Sequence, residues 1–195
     1  MTHPSKPFFD PPLKTAPCRA ILDHWQGLRG NRLRPNRAEL DPVQLAYSLP
    51  YAGIFEVRSP DLTICQLAGT AFRRSLGFEL TGQNVNHIYA PSLHRAAGYR
   101  FFMMAHHPCA AAVELSIKFS TGDENHHEVI LLPLSPDSTE TLPALLVGVV
   151  ALDAVEWQAA AILPQPEASP TFRFVDIGAG IPAASMPPDD FNAAG

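Results

Sequence analysis

Residues 66–93, QLAGTAFRRSLGFELTGQNVNHIYAPSL, decide how this chain is read. A strand ends at the small residues Ala68 and Gly69. Residues 71–76 then make a short helical stretch that Gly77 closes, because glycine takes the left-handed backbone at a helix end without strain. Leu80-Thr81-Gly82-Gln83-Asn84 carries turn chemistry. Residues 85–89 have the length of one further helical turn, and Pro91 opens a longer helix, since the missing N–H is not needed in a first turn. The stretch holds no nucleophile, no metal-ligand spacing and no phosphate-cradling glycine loop. It reads as a helical connection between two β-sections.

Upstream, residues 51–57 are apolar apart from Glu56, Arg58-Ser59-Pro60-Asp61 forms a turn, and residues 62–67 return, so the pattern predicts a hairpin. Further upstream, Pro17 begins a helix with Ile21, Leu22, Trp25 and Leu28 at helical spacing, and Gly30 and Asn31 stop it. Asp41-Pro42 is a second start signal, with Val43, Leu45, Ala46 and Leu49 before Pro50.

Downstream, the helix from Pro91 places Leu93, Ala97, Phe101 and Met104 on one face before Pro108 breaks it. Val113-Glu114-Leu115-Ser116-Ile117-Lys118-Phe119 alternates strictly and predicts a strand with one dry face. Residues 121–125 form a loop. Residues 127–134 are apolar on both faces, as in a central strand. Residues 136–141 turn and residues 144–152 make a final strand. A hairpin, a helical crossover and a three-strand meander define an α+β domain with helices on one face of an antiparallel sheet. Periodicity does not contain the order of the strands in space.

Composition bounds the rest. Of 195 residues, 46% are hydrophobic and 17% charged, enough to bury one sizeable core. Five prolines fall within residues 1–17 and six between Pro164 and Pro188, so Pro/Ala-rich arms at 1–16 and 154–195 are expected around a domain at 17–153. A net charge of -5 opposes nucleic-acid binding. No apolar leader opens the chain, and residues 142–152 are too short to span a bilayer, so a cytoplasmic location and no membrane are expected. Cys18, Cys65 and Cys109 are odd in number and far apart, which suits buried thiols in a reducing compartment.

The chain resembles the PAS superfamily of sensory modules. The resemblance is carried by Ala68-Gly69-Thr70-Ala71-Phe72, by Gly77-Phe78-Glu79-Leu80-Thr81-Gly82, and by residues 85–89 followed by Pro91. More narrowly it is similar to a bacterial PAS-like family known mostly from alphaproteobacteria. That likeness rests on His24-Trp25-Gln26-Gly27-Leu28-Arg29-Gly30, the basic stretch 31–37, Asp41-Pro42, Leu49-Pro50, Leu67-Ala68-Gly69-Thr70 and Leu131-Leu132-Pro133-Leu134. It spans about residues 20–152. The resemblance implies a five-stranded antiparallel sheet with helices on one face and a pocket between them. It also implies signalling through a ligand or a partner, and homodimers. It supplies no ligand or catalytic residue.

A pocket between sheet and middle helices would be lined by Phe55, Ile64, Phe72, Leu76, Phe101, Leu115, Ile117, Leu131 and Val147, unless these simply pack on one another. Haem through His87 or His94 is the weaker reading, as no companion pattern accompanies them. His106 and His107 suit the negative end of a helix. His126 and His127 are adjacent on a strand and face opposite ways, so no metal site is expected. Flavin photochemistry needs a cysteine at a helix start, where this chain has none. Arg29, Arg32, Arg34 and Arg37 could grip an acidic partner, or pair with Glu39 and Asp41. The first helix could cover its own sheet or meet a second copy. Residues 171–177 alternate and could dock as an edge strand or clamp a partner.

The leading expectation is a stand-alone sensory or adaptor module, not an enzyme, with a small apolar ligand and an unidentified signalling protein as partners. The alternatives are a ligand carrier, an enzyme on a similar curved sheet, or an interaction domain with a filled core. Glu56, Glu114 and His127 form no constellation by spacing.

Overall fold

The structure is a computed structural model and describes residues 8–9, 12–118, 124–139, 141–153, 165–166 and 172–183, with Ile117, Lys118, Gln165 and Pro166 by backbone only. Five strands carry the fold: β1 (Ala52–Ser59), β2 (Leu62–Ala68), β3 (Ala110–Lys118), β4 (Glu124–Leu134) and β5 (Ala144–Ala151). Their spatial order is β2-β1-β5-β4-β3, and every pairing is antiparallel. The first and last of the five meet at the centre, with Ala52 opposite Gly148 and Phe55 opposite Leu145. The chain must therefore travel from the β2 edge to the β3 edge, and residues 69–109 make that crossing.

The crossing contains α2 (Thr70–Leu76), two 3-10 turns at Val85–Ile88 and Pro91–Leu93, and α3 (His94–His106). Gly77 ends α2 with a φ of 78°, the left-handed conformation that a side chain disfavours. Asn84 anchors the turn that follows: its Oδ1 accepts from the N–H groups of Thr63 and Asn86, and its Nδ2 donates to the Asp61 carbonyl. These bonds tie the connection to the hairpin and fix where α3 begins. α3 then lies on the hairpin at Gly98, where a Cβ would come within 1.7 Å of the Pro60 carbonyl oxygen.

Helices occupy both faces of the sheet. α1 (Ala16–Arg29) packs on the face opposite α2 and α3, with Cys18, Ile21 and Trp25 fully buried. The Trp25 indole N–H donates to the Pro133 carbonyl at 2.9 Å, which satisfies the one polar group of that side chain. The first helix thus covers its own sheet. This also explains the apolar run of β4: Val129 and Leu131 face the middle helices, while Ile130, Leu132 and Leu134 face α1. Phe9 and Leu13, from the stretch read as an arm, are buried in this second core.

The sheet has seven strands, because β6 (Gln165–Pro166) and β7 (Arg173–Val175) pair with β3 and occupy an edge that would leave N–H and C=O groups open. β7 lies within residues 171–177, whose alternation allowed an edge strand, and β6 adds to the expected pattern. Residues 42–48 form successive turns rather than a helix and lead into a 3-10 turn at Leu49–Tyr51.

Candidate ligand site

One face of the sheet and the middle helices enclose a cavity. Its wall comprises Phe55 from β1, Phe72 and Leu76 from α2, Leu80, Ile88, Tyr89 and Leu93 from the connection, and Ala96, Ala97, Arg100 and Phe101 from α3. Val113, Leu115, Val129, Leu131, Val147 and Val149 form the sheet side, and Phe172 closes the set. The cavity has a volume of about 70 Å³. That is well above the ~10–15 Å³ needed to hold a single water. Phe55 holds the floor by edge-to-face contacts with Phe72 and Phe101, at centroid distances of 6.3 and 6.1 Å.

Seven of the nine residues expected around a pocket lie on this wall: Phe55, Phe72, Leu76, Phe101, Leu115, Leu131 and Val147. Ile64 does not. It pairs with Glu56, while the neighbouring Cys65 pairs with Phe55, so the pleat sends Ile64 to the other face. The side chain of Ile117 lies outside the described residues.

Among the eleven wall residues that sequence reasoning missed are Tyr89, Arg100 and Phe172. Among the described lining residues, Arg100 brings the only charge, and its guanidinium carbon lies 4.2 Å from the Phe172 ring centroid. Burial lowers the Arg100 pKa, with Tyr89 opposing the shift. Burial pushes the Tyr89 hydroxyl up to about 12. A charged residue on an otherwise apolar helix face was a usable signal for Arg100. For Phe172 the alternation of residues 171–177 signalled an edge strand but not the cavity, because its approach depends on β7 pairing with β3 about 60 residues away in sequence, Ala111 opposite Phe174.

The other candidate residues are placed elsewhere. The imidazoles of His87 and His94 stack on each other at 4.9 Å, and His94 Nε2 lies 3.0 Å from the Tyr89 carbonyl oxygen. Neither lines the cavity, nor does any cysteine. A histidine-ligated haem or a cysteine-linked flavin therefore does not fit the residues of this wall, and the space is small for either ring system. Cys18, Cys65 and Cys109 are buried free thiols, each pushed up to about 12 by burial. They are poor nucleophiles. Among the described residues no three His, Cys, Asp or Glu side chains converge as a metal site.

The basic run is engaged within the domain. Arg32 forks onto Glu39 at 2.9 Å, Arg37 meets Glu56 at 3.5 Å, and Arg34 donates to the Ala105 carbonyl and to Ser135 Oγ. Arg29 donates to the Ile177 carbonyl and lies over the rings of Phe8 and Trp25. Asp41 instead caps the following turn by accepting from the Val43 N–H.

An antiparallel sheet with first and last strands at its centre, a helical crossover on one face and a cavity beneath it define a sensory or interaction module in general. The PAS domain family matches residues 13–151, and the chain belongs to it. No curated protein matches. Among solved structures, a PAS domain from Colwellia psychrerythraea shares 14% identity at a TM-score of 0.41, over 56% of this chain and 95% of that one. An RNA-binding light-oxygen-voltage receptor shares 15% identity at 0.42, over 64% of this chain and 37% of that one. A fungal LOV domain photoreceptor shares 16% identity at 0.41, over 71% of this chain and 95% of that one. Among the described residues no helix is long and apolar enough to cross a membrane.

Proposed function

We propose that this PAS domain is a sensory or adaptor module that takes a small molecule into the cavity beneath α2 and α3 and signals in trans to a protein partner. The observation that carries the reading is the open, largely apolar space in the middle of an otherwise closed core. Protein interiors seldom leave room for several waters against apolar walls unless the space is used. A non-enzymatic role is part of the proposal: the wall holds no carboxylate, imidazole or thiol to serve as acid, base or nucleophile. Self-association is also part of it. The apolar face of α1 is spent on its own sheet, so a second copy would have to meet another surface.

Native mass spectrometry of gently purified protein tests both points, reading retained small mass and subunit number together. Ala97→Phe, which fills the cavity from α3, should abolish a retained mass or a ligand-induced rise in Tm. A chain that retains nothing, and whose Tm responds to no small apolar compound, overturns the reading in favour of a filled interaction domain.

A further inference from the structure

Resting on the reading that the cavity takes a small molecule, we propose that its occupant is a compact uncharged molecule with one hydrogen-bond acceptor, of the class of a short ketone. Its oxygen takes the Tyr89 hydroxyl and its hydrocarbon lies on Phe55, Phe101, Leu115 and Val147. The argument begins with the polar groups of the wall. Among the described residues that line the cavity, only Tyr89 and Arg100 carry a polar side chain. Arg100 already has partners within the chain, and the Phe172 ring, 4.2 Å from its guanidinium carbon, is one of them. The wall therefore holds no uncommitted charge for an ionised ligand. Such a ligand would surrender its water and find no counter-charge in return, which makes an uncharged occupant the better fit.

Tyr89 differs from Arg100. Its carbonyl is met by His94 Nε2 at 3.0 Å, but its hydroxyl makes no hydrogen bond to any described residue. The side chain keeps some accessible surface, yet burial pushes its hydroxyl up to about 12. A side chain behaves in this way when its surface faces an enclosed space rather than bulk water. A buried phenol ordinarily finds a partner, and leaving it without one costs the full desolvation of the group. An occupant with an acceptor oxygen supplies what the protein does not. The charge of Arg100 draws the phenol towards ionisation, so the hydroxyl is biased to donate rather than to accept. The rest of the wall is aliphatic and aromatic, and asks for hydrocarbon on every other side.

Size narrows the class. The cavity volume of about 70 Å³ is roughly half that of an engineered apolar cavity of ~150 Å³ in another protein that admits benzene. Without rearrangement the occupant is smaller than one aromatic ring, with about four or five non-hydrogen atoms.

The test uses three probes of one shape, titrated into the full chain at neutral pH and followed by NMR. 2-Butanone carries the acceptor, 2-methyl-1-butene replaces its oxygen with a methylene, and propionate replaces a methyl with a charged oxygen. Tyr89→Phe should weaken 2-butanone about three- to tenfold, the span expected of one hydrogen bond between neutral groups, and leave 2-methyl-1-butene within about twofold. Propionate should bind more than about tenfold more weakly than 2-butanone. Should Tyr89→Phe fail to fold, the infrared carbonyl stretch of 2-butanone bound to the wild-type chain decides. It should lie below its position in hexane, as a hydrogen-bonded carbonyl does.

A 2-butanone affinity that Tyr89→Phe leaves unchanged, a carbonyl stretch at its hexane position, or propionate binding as tightly as 2-butanone overturns the ligand class and leaves the cavity reading standing. Binding of none of the three overturns the class as well. It overturns the cavity reading too where the wild-type chain retains no small mass in native mass spectrometry.

Discussion

The guanidinium of Arg100 on α3 and the ring of Phe172, just before β7, meet at 4.2 Å on the wall of the cavity. This contact joins the C-terminal segment to the crossover helix. Phe172 also meets Phe174 edge-to-face at 5.1 Å. The segment therefore holds by side-chain packing as well as by three paired residues on β3.

Phe172→Ala should release this segment without unfolding the domain. The lost ring burial and cation–π contact amount to about 2–3 kcal/mol of local docking. Hydrogen exchange should speed up at Ala110, Ala111 and Ala112, which pair with β7, and stay unchanged in the central strand β5. Uniform acceleration across the sheet would mean that the segment belongs to the global folding unit.

Trp25→Ala should be among the most damaging single changes. The side chain is fully buried between α1 and β4, and its N–H satisfies the Pro133 carbonyl. Truncation should lower unfolding free energy by about 3–5 kcal/mol in urea titration. Val43→Ala, at a residue 78% exposed, should stay within about 0.5 kcal/mol. Equal effects at the two sites would contradict the packing of α1 on its own sheet.

Glu128 on β4 is buried at the start of α1, where its carboxylate accepts from the N–H groups of Lys14 and Thr15 and from the Thr15 hydroxyl. A carboxylate from another element thus anchors the two residues that lead into this helix, Lys14 and the N-cap Thr15. Glu128→Gln should cost about 1–3 kcal/mol. The loss should appear in hydrogen exchange as fraying of the first turn of α1. An effect spread evenly along α1 would speak against a local anchor at its start.

His127 is buried on β4, and burial lowers its pKa from the ordinary 6.5 to about 4 despite the opposing influence of Asn125 and Asp153. The folded chain thus prefers neutral imidazole. Above pH 6.5 both folded and unfolded states are neutral and nothing changes. As pH falls from 6.5 towards 4, the unfolded chain takes up a proton that the folded chain refuses, so stability declines, by up to about 3 kcal/mol. His127→Leu should flatten this part of the stability profile relative to wild type. Parallel profiles across that window would refute the assignment.

Gly98→Ala should push α3 away from the hairpin, since its Cβ would fall 1.7 Å from the Pro60 carbonyl oxygen and 2.8 Å from Asn86 Nδ2. The expected loss exceeds the ordinary gain of about 1 kcal/mol for replacing glycine within a helix. A rise in Tm would show that the helix stands further from β1 and β2.

Element type and order were written in the chain. Strict alternation from Val113, the Gly77 stop and the proline punctuation are local signals, because a strand's period or a helix cap depends on a few neighbouring residues. Part of the cavity wall was legible for the same reason: inward positions follow the pleat once the strands are recognised. Ile64 departed from that pattern because register shifts between Ile54 and Phe55, and between Val57 and Ser59, change which β2 residues share a face with Phe55. Long-range encounters were not legible: α1 on the far face, Glu128 at its start, and Phe172 against Arg100. Each joins residues some 70 to 115 positions apart, and composition and periodicity carry no record of such distances. Tertiary packing alone placed a cation and a C-terminal ring on an apolar chamber that the local sequence had only outlined.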